Sequence, residues 1–278
     1  MVQTIKKFFL DPVRNFSIFW HSIKTVIISN GVDLLFPKSC FGCQREGSYF
    51  CQDCQATLEI SSIHQKMQST PLEISQKYNH TIPKTTKFLT GSNELSDLYF
   101  ATDYQKPLIK NLIHHFKYEP LVKELAKPLT SLIIEHFQLL DQKPDLADFV
   151  LIPVPLERRR LKWRGFNQAE EIGKELSKFL NIEILNNVLI KTKETQPQVE
   201  LSDEERKENI KGAFLVVDER SFISTHRSAR VKDDNLIKSE KILLVDDVYT
   251  TGATMAECAR VLKTAGAKEI IGVVVARG

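Results

Sequence analysis

The chain has 278 residues, of which 42% are hydrophobic and 26% are charged, a composition typical of a folded globular protein. This length is sufficient for one sizeable α/β domain and a smaller module. The formal net charge of +3 is too small to indicate nucleic-acid binding by itself. Any site for a polyanion must therefore come from a local cluster of basic residues.

Residues 1–36 combine basic, aromatic and aliphatic side chains. His21, Lys24 and Asp33 interrupt the apolar residues, so no run reaches the roughly 18 to 20 residues that span a bilayer. The segment also lacks the apolar core and small-residue cleavage site of a secretory signal. We expect a cytoplasmic protein without a transmembrane segment. An amphipathic helix over 1–36 would dock on the protein, the favoured arrangement, or lie on a membrane surface.

Four cysteines follow the pattern C-x2-C-x7-C-x2-C, at Cys40, Cys43, Cys51 and Cys54. Paired C-x-x-C turns present four thiolates to one ion and meet the tetrahedral geometry of structural zinc. Two disulfides or a redox-active pair are alternatives, but no other feature marks the chain as secreted. We therefore predict that residues 37–60 form a structural zinc module, with no coordination position left open for catalysis.

Residues 61–93 are polar and show little periodicity, which predicts an irregular connector to a domain at 94–278. At the start of that domain we expect a short strand at 95–100 and a helix that begins at Pro107. Pro128 is expected to break or restart this helix.

A second apolar strand, at 149–155, ends in prolines and precedes a segment rich in basic residues. We expect this segment to be a loop, followed by a helix at 169–180, on the edge where open α/β sheets bind ligands. Arginine side chains hold phosphate oxygens in bidentate pairs, so the loop is a candidate pyrophosphate or anion site. A solvated basic turn is the alternative. The basic residues are Arg158, Arg159, Arg160, Lys162 and Arg164.

Residues 242–245 form a short, wholly apolar run that is typical of a buried parallel strand. Asp246 and Asp247 follow and are expected at the carboxyl end of that strand. A hydroxyl-rich turn then leads into a helix, whose unpaired N–H groups favour a phosphate. Together these features favour a sugar-phosphate site over ordinary turn and cap chemistry. The turn consists of Thr250, Thr251, Gly252, Ala253 and Thr254.

The run ILLVDDVYTTGAT resembles the phosphoribosyl pyrophosphate (PRPP) signature of type I phosphoribosyltransferases. The resemblance implies that Asp246 and Asp247 hold the ribose hydroxyls and that residues 250–254 wrap the 5′-phosphate. It also implies that Mg²⁺ binds together with PRPP.

The run VLIPVPLERRRLKWRGFNQA is similar to a block of the ComF competence-protein family. Shorter matches, such as 34–37 and 115–118, extend the resemblance over most of residues 34–276. It implies a type I phosphoribosyltransferase fold, a parallel sheet flanked by helices, with an N-terminal zinc-binding module, and it adds Asn167 to the anion-binding residues. Two departures stand out. Many relatives carry a second cysteine ribbon where 58–93 has none, and 221–239 reads as an inserted polar loop.

Three functions are compatible with these features, and the fold does not decide among them. A phosphoribosyltransferase would bind PRPP, expel pyrophosphate and pass ribose 5-phosphate to an acceptor. A binding protein of DNA uptake would contact single-stranded DNA and the competence machinery, with Trp163 and Phe166 stacked on bases or, alternatively, anchoring the loop to the core. In the third function, PRPP would be a regulatory ligand only.

Overall fold

A computed structural model of the protein describes residues 37–67, 94–193, 195, 203–217 and 237–278. The expected amphipathic segment at 1–36, the connector at 68–93 and residues 221–236 of the insertion lie outside these ranges. The chain divides after Gln55 into two compact units.

The smaller unit is built around the four cysteines. A single β-bridge joins Ser39 and Glu46, and Cys40 N donates to the carbonyl of Arg45 at 2.9 Å, which closes the first C-x-x-C turn. The second C-x-x-C turn leads into helix α1, Gln52–Ala56. An ion pair between Arg45 and Asp53 connects the two turns.

The larger unit contains alternating strands and helices. They are β1 (Gln65–Lys66), β2 (Asp97–Asp103), α2 (Pro107–Lys117), a 3-10 turn (Lys123–Leu125), α3 (Ala126–Leu139), β3 (Phe149–Pro153), α4 (Arg158–Arg164), α5 (Gln168–Leu180), β4 (Leu189–Lys191), α6 (Asp203–Ile210), β5 (Phe214–Val216), β6 (Lys241–Tyr249), α7 (Ala253–Thr264) and β7 (Glu269–Arg277).

Five strands form the main sheet, in the order β1-β2-β7-β6-β3. The pairings of β2 with β7, β7 with β6 and β6 with β3 are parallel, and only β1 is antiparallel to its neighbour. Strands β4 and β5 form a separate two-stranded antiparallel sheet. The predicted α/β architecture with a mostly parallel sheet is therefore confirmed, and β6 lies inside the sheet between two parallel neighbours.

One face of the sheet packs against α3 and α5. Gly173 of α5 lies against Leu151 of β3, since a Cβ at Gly173 would come within 2.9 Å of Leu151 Cδ2. Leu151 is paired with Leu243 of β6, so Leu243 points to the same face.

The other face packs against α7. A Cβ at Gly272 of β7 would come within 2.7 Å of Met255 Sδ in α7, and Gly272 is paired with Leu244. Because side chains alternate along a strand, Asp246 follows Leu244 onto the α7 face and Asp247 follows Leu243 onto the α5 face. The two acids thus leave β6 on opposite faces, yet their carboxylates stay close enough for the charge of Asp247 to raise the pKa of Asp246.

Three expectations about the elements need correction. Strand β6 does not stop before the acids, because its pairing with β7 continues to Tyr249↔Arg277. The connector is not wholly irregular, because Gln65–Lys66 pairs with β2. The strand expected at 95–100 begins at Asp97 and ends at Asp103, where pairing with β7 ends.

The segment expected to be a basic loop is instead a short helix, α4. Glu157 caps its start, with Oε1 accepting from Arg159 N at 2.9 Å, and Gly165 ends it with a φ of 76°. The helix beginning at Pro107 is confirmed, and Pro128 lies in the first turn of α3, where its missing N–H costs nothing. Among the helices described, none is long and apolar enough to cross a membrane.

Candidate functional site

The acid pair occupies the carboxyl-terminal half of β6. Asp247 is 4% exposed, and Asp246 is partly buried. Asp247 N donates to Asp246 Oδ1 at 2.8 Å, which fixes the orientation of the first carboxylate. Two carboxylates held this close, with little access to water, raise the free energy of the doubly ionised state.

Asp247 has a cationic partner from a distant part of the chain. Lys117, the last residue of α2, places Nζ 2.9 Å from Asp247 Oδ1. Burial opposes the charge of Lys117, but Asp247 and then Asp246 outweigh it and raise the pKa of Lys117. Lys117 is therefore a cation held against the acid pair, with its side chain 26% exposed on the site.

Asp246 is the acid whose protonation is most perturbed. Burial first, and the negative charge of Asp247 second, raise the pKa of Asp246 to about 7, although Lys117 acts in the opposite direction. Asp246 can therefore take up or release a proton near neutral pH, and a ligand that favours its charged form displaces that proton.

The turn after β6 is shaped around Tyr249. Gly252 has a φ of 75° and is the N-cap residue of α7, and a Cβ there would collide with the Tyr249 hydroxyl. Thr251 Oγ1 accepts from Ala253 N at 3.4 Å. The backbone thus passes close to Tyr249 and enters α7 at the edge that carries the acids, a helix N-terminus suited to a phosphate.

Helix α4 divides the basic residues into two groups. Arg160 and Arg164, one turn apart, are partly buried, whereas Arg158, Arg159 and Lys162 are exposed. Burial lowers the pKa of Arg164, and the nearby charge of Asp247 partly offsets this. Arg164 therefore lies near Asp247, Arg160 is partly buried one turn before it, and the other basic side chains are exposed.

Arg164 also contacts the end of α2. Its guanidinium lies 5.3 Å from the centre of the Tyr118 ring, and its Nη1 donates to Gln168 Oε1 at 3.0 Å. Gln168 Nε2 in turn donates to the carbonyl of Phe116 at 2.8 Å. The end of α2, which carries Lys117, is thus fixed to α4 and the start of α5.

The two aromatic residues near α4 have different environments. Phe166 is 7% exposed and lies 5.6 Å from the Phe116 ring, so it anchors the segment to the core. Trp163 is 53% exposed. Asn167 caps α5 through Oδ1, which accepts from Ala169 N, and donates through Nδ2 to the Val154 carbonyl at 3.0 Å. The Asn167 side chain thus links the start of α5 to Val154, the residue after β3.

The four cysteine sulfurs lie within 4.8 Å of one another, and none forms a disulfide. Cys40 Sγ accepts from the backbone N–H groups of Gly42 and Cys51, each at 3.4 Å. Burial opposes ionisation of Cys40, but backbone donors outweigh it and lower the pKa of this thiol to about 6. Four converging sulfurs with N–H donors fit a metal ion and are consistent with zinc, whose sulfur ligands lie about 3.8 Å apart at a Zn–S distance of about 2.3 Å.

Comparison with known proteins identifies the larger unit. The phosphoribosyl transferase domain family matches residues 168–278, which include the acid pair and the turn after it. The chain is 37% identical over 121 residues to Competence protein F of Haemophilus influenzae, a match that spans 43% of this chain and 46% of that protein. It is 32% identical over 178 residues to the DNA utilization protein YhgH of Shigella flexneri, spanning 62% of this chain and 68% of that protein. The chain belongs to the ComF family.

A further ComF relative is Competence protein ComFC of Bacillus subtilis, which is 31% identical over 118 residues, 42% of this chain and 40% of that protein. The matched parts of the ComF chain thus cover about half of Competence protein F and two thirds of YhgH. The resemblance drawn from the DDVYTTGAT and RGFNQA runs is therefore confirmed.

Two lysines at the ComF site were not assigned from the sequence. Lys117 lies in the run His115-Phe116-Lys117-Tyr118, which contributed to the resemblance but gave no sign of its contact with Asp247. Lys191 ends β4 and lies near enough to Asp246 for that carboxylate to affect its pKa. Only the fold brings these two lysines near the acids.

Proposed function

We propose that the protein binds PRPP and transfers ribose 5-phosphate to an acceptor, with release of pyrophosphate. The observation that carries the proposal is the position of the acid pair, at the end of a central parallel strand that leads directly into the Gly252 turn and the N-terminus of α7. In this arrangement Asp246 and Asp247 accept from the ribose hydroxyls, and residues 250–254 donate to the 5′-phosphate.

The transfer needs little covalent help from the protein. A lone pair on the acceptor forms a bond to the anomeric carbon, the bond from that carbon to pyrophosphate oxygen breaks, and pyrophosphate leaves with the bonding electrons. The acceptor's proton passes to water. Positive charge develops on the sugar ring, close to the carboxylates, and negative charge develops on the leaving group.

The cations of the site are opposite in charge to the pyrophosphate leaving group. Arg160 and Arg164 lie on the partly buried side of α4, Arg164 is near Asp247, and Lys117 lies beside Asp247. Mg²⁺, when bound with PRPP, would neutralise phosphate charge while keeping several of its waters. The carboxylates of the acid pair and the phosphate oxygens of PRPP are the hard oxygen ligands that this ion prefers.

Enzymatic turnover is tested by incubating the protein with PRPP, Mg²⁺ and a panel of nucleobases. We expect one acceptor to raise pyrophosphate release above the level without acceptor, and Asp246→Asn to abolish the increase. Release that is unchanged by every acceptor would contradict the transferase, even if PRPP binds.

The exposed side of α4 favours a second function, the binding of single-stranded DNA. Trp163 is 53% exposed and shares α4 with the exposed basic residues Arg158, Arg159 and Lys162. Stacking on an aromatic ring together with phosphate contacts is how proteins bind single strands. The names of the relatives, which refer to competence and DNA utilization, support a role in DNA uptake.

Trp163 and Phe166 provide a matched test of this second function. Trp163→Ala should weaken binding to a single-stranded oligonucleotide by about 1–3 kcal/mol and leave the melting temperature nearly unchanged. Phe166→Ala should instead destabilise the fold, by about 3–5 kcal/mol, because it removes a buried ring. Unchanged oligonucleotide binding by Trp163→Ala would remove Trp163 as a stacking residue.

We further propose that the four cysteines hold one structural Zn²⁺. The fit rests on the converging sulfurs and on the N–H groups that donate to Cys40. All four ligand positions are filled by the chain, so the ion stabilises the small unit and takes no part in the chemistry.

A further inference from the structure

Residues 59–67, here called the strap, lie along the outer edge of β2. Ser61 N donates to the Ala101 carbonyl at 2.8 Å, and Met67 N donates to the Ser96 carbonyl at 2.9 Å. Between these two contacts the strap contributes β1, the antiparallel edge strand of the main sheet. The strap thus supplies the hydrogen-bond partners of β2 on the side away from β7.

A buried histidine of α3 contacts the middle of the strap. His136 is 0% exposed, and its Nδ1 lies 2.6 Å from the Ser61 carbonyl oxygen. Because a carbonyl oxygen can only accept, Nδ1 carries the proton in this contact. The other ring nitrogen, Nε2, is buried and has no hydrogen-bond partner within the described part of the chain. Protonation of Nε2 would place a positive charge and an unpaired N–H in the interior, so the docked strap favours neutral His136.

The surroundings of His136 are mainly aromatic. Tyr99 of β2 contacts two imidazoles, with its ring centre 4.9 Å from that of His64 and 6.0 Å from that of His136. The rings of Phe100 and Phe137 lie 6.2 and 5.8 Å from His136. Burial raises the pKa of Tyr99 to about 12, so its phenol is neutral. The charged or titratable side chains of this region are His64 and Lys66 of the strap, Asp97 of β2, and Glu269 and Arg277 of β7.

The burial of His136 makes docking of the strap depend on pH. Burial lowers the pKa of His136, the Ser61 carbonyl acts against this, and the charge of His64 lowers the pKa further. A released strap would leave the histidine nearer its usual pKa of about 6.5. Docking is therefore most stable above about pH 6.5 and weakens as the pH falls below it, because the released state binds the proton more tightly.

A second contact responds to acid in the opposite direction. His64 Nε2 lies 3.5 Å from Asp97 Oδ1, so protonated His64 would attract this carboxylate. That distance is longer than a hydrogen bond, and both side chains are 21% exposed, so the attraction is weak. Burial also raises the pKa of Asp97, so its charge is lost earlier as the pH falls. The fully buried His136 therefore decides the response to acid.

We propose that His136 is a pH-dependent latch, which holds the strap on β2 when neutral and releases residues 61–67 when protonated. Glu59 stays attached, because its carbonyl accepts from Lys106 Nζ at 2.7 Å and from Thr102 Oγ1 at 3.1 Å. Release exposes the N–H and C=O groups at the edge of β2, which can then pair with water or with another strand. The latch uses none of the residues assigned to the sugar-phosphate site, and it stands or falls independently of the proposed function.

The test is hydrogen exchange of the full chain between about pH 7 and about pH 5, corrected for the intrinsic effect of pH on exchange. We expect the protection of the Ser61 and Met67 amides to fall by about tenfold over this range, while the amides of β7 keep theirs. His136→Asn retains an amide donor and cannot ionise, so its strap should be equally protected at both pH values. His114→Asn, at an exposed position of α2, is the matched control and should respond as the wild type does.

Strap protection that stays constant in the wild type, or that falls equally in His136→Asn, would overturn the latch. If His136→Asn does not fold, NMR of the imidazole nitrogens in the wild type decides. We expect a proton on Nδ1 and none on Nε2 at about pH 7, and protonation of Nε2 in step with the loss of strap protection. A proton on Nε2 at about pH 7, or titration of His136 without a change in strap exchange, would also contradict the proposal.

Discussion

Lys117 Nζ lies 2.9 Å from Asp247 Oδ1, so the end of α2 supplies the counter-charge for one of two adjacent acids in β6. Asp246 forms no ion pair with any cation in the described part of the chain and is the acid with the raised pKa, about 7, although the charge of Lys117 acts against this rise. The two carboxylates of the signature therefore differ in environment, and substitutions at the two positions should have opposite effects on stability.

We expect Asp247→Asn to destabilise the protein by about 1–3 kcal/mol, because Lys117 keeps its charge in a partly buried place after losing its partner. Adding Lys117→Met should recover part of this loss, since the double variant removes both charges. Denaturant unfolding measures the effect, with Asp148→Asn, at an exposed position, as the control. Equal stabilities of Asp247→Asn and Asp148→Asn would show that the ion pair contributes nothing.

Asp246→Asn should stabilise the unliganded protein at neutral pH. The pKa of Asp246 is about 7 in the folded protein and about 3.9 for an unfolded aspartate, so ionisation is favoured more in the unfolded state. The wild type therefore loses stability as pH rises from about 4 to about 7, and the variant does not. We expect the free energy of unfolding of Asp246→Asn to exceed that of the wild type by about 1–2 kcal/mol at about pH 8. This gap should close by about pH 4.

Thermal unfolding of Asp246→Asn and wild type across this pH range measures the gap. A gap that is constant with pH, or that widens toward acid, would contradict the assignment of the raised pKa to Asp246. Asp148→Asn again serves as the control, because it removes an exposed carboxylate of the same unit.

The sequence predicts the acid pair and its turn well because the signals are local. The apolar run lies in β6 and the helix expected after the turn begins at Ala253, whereas the strand continues past the acids to Tyr249. Lys117 could not be predicted as the partner of Asp247, because 130 residues separate them and only the packing of α2 on the sheet joins them. The i, i+4 spacing of Arg160 and Arg164 did contain a signal, and helical periodicity would have separated them from the exposed basic residues.

The exposed basic residues of α4 should contribute to the salt dependence of DNA binding and not to PRPP binding. Replacing Arg158, Arg159 and Lys162 with Gln should reduce the slope of log affinity against log salt by about 2 for a single-stranded oligonucleotide. Fluorescence anisotropy over a salt series measures the slope. Gln substitutions at Lys110, Lys127 and Lys143, which are exposed outside α4, give the same charge change elsewhere. If the two triple variants show similar slopes, the reduced salt dependence comes from the lower net charge of the protein and not from the loss of this surface.

Purified protein should contain one zinc ion per chain, held by the four cysteines. Chelation should disorder the small unit, because metal binding and folding are coupled in units of this size. Metal analysis and NMR spectra before and after chelation report both effects, with Cys258→Ser as the control because Cys258 belongs to the larger unit and is buried in α7. Stoichiometric disulfides and no zinc, in protein purified under reducing conditions with zinc supplied, would contradict the assignment.

Calorimetric titration of PRPP with Mg²⁺ into the wild type and Asp246→Asn tests the central claim most directly. Asp246 makes no ion pair with Lys117, so its substitution leaves the fold intact and removes charged hydrogen bonds to ribose. We predict that the wild type binds PRPP and that the variant binds it about tenfold to a hundredfold more weakly. A folded Asp246→Asn variant that binds PRPP as tightly as the wild type would contradict the placement of ribose at the acid pair.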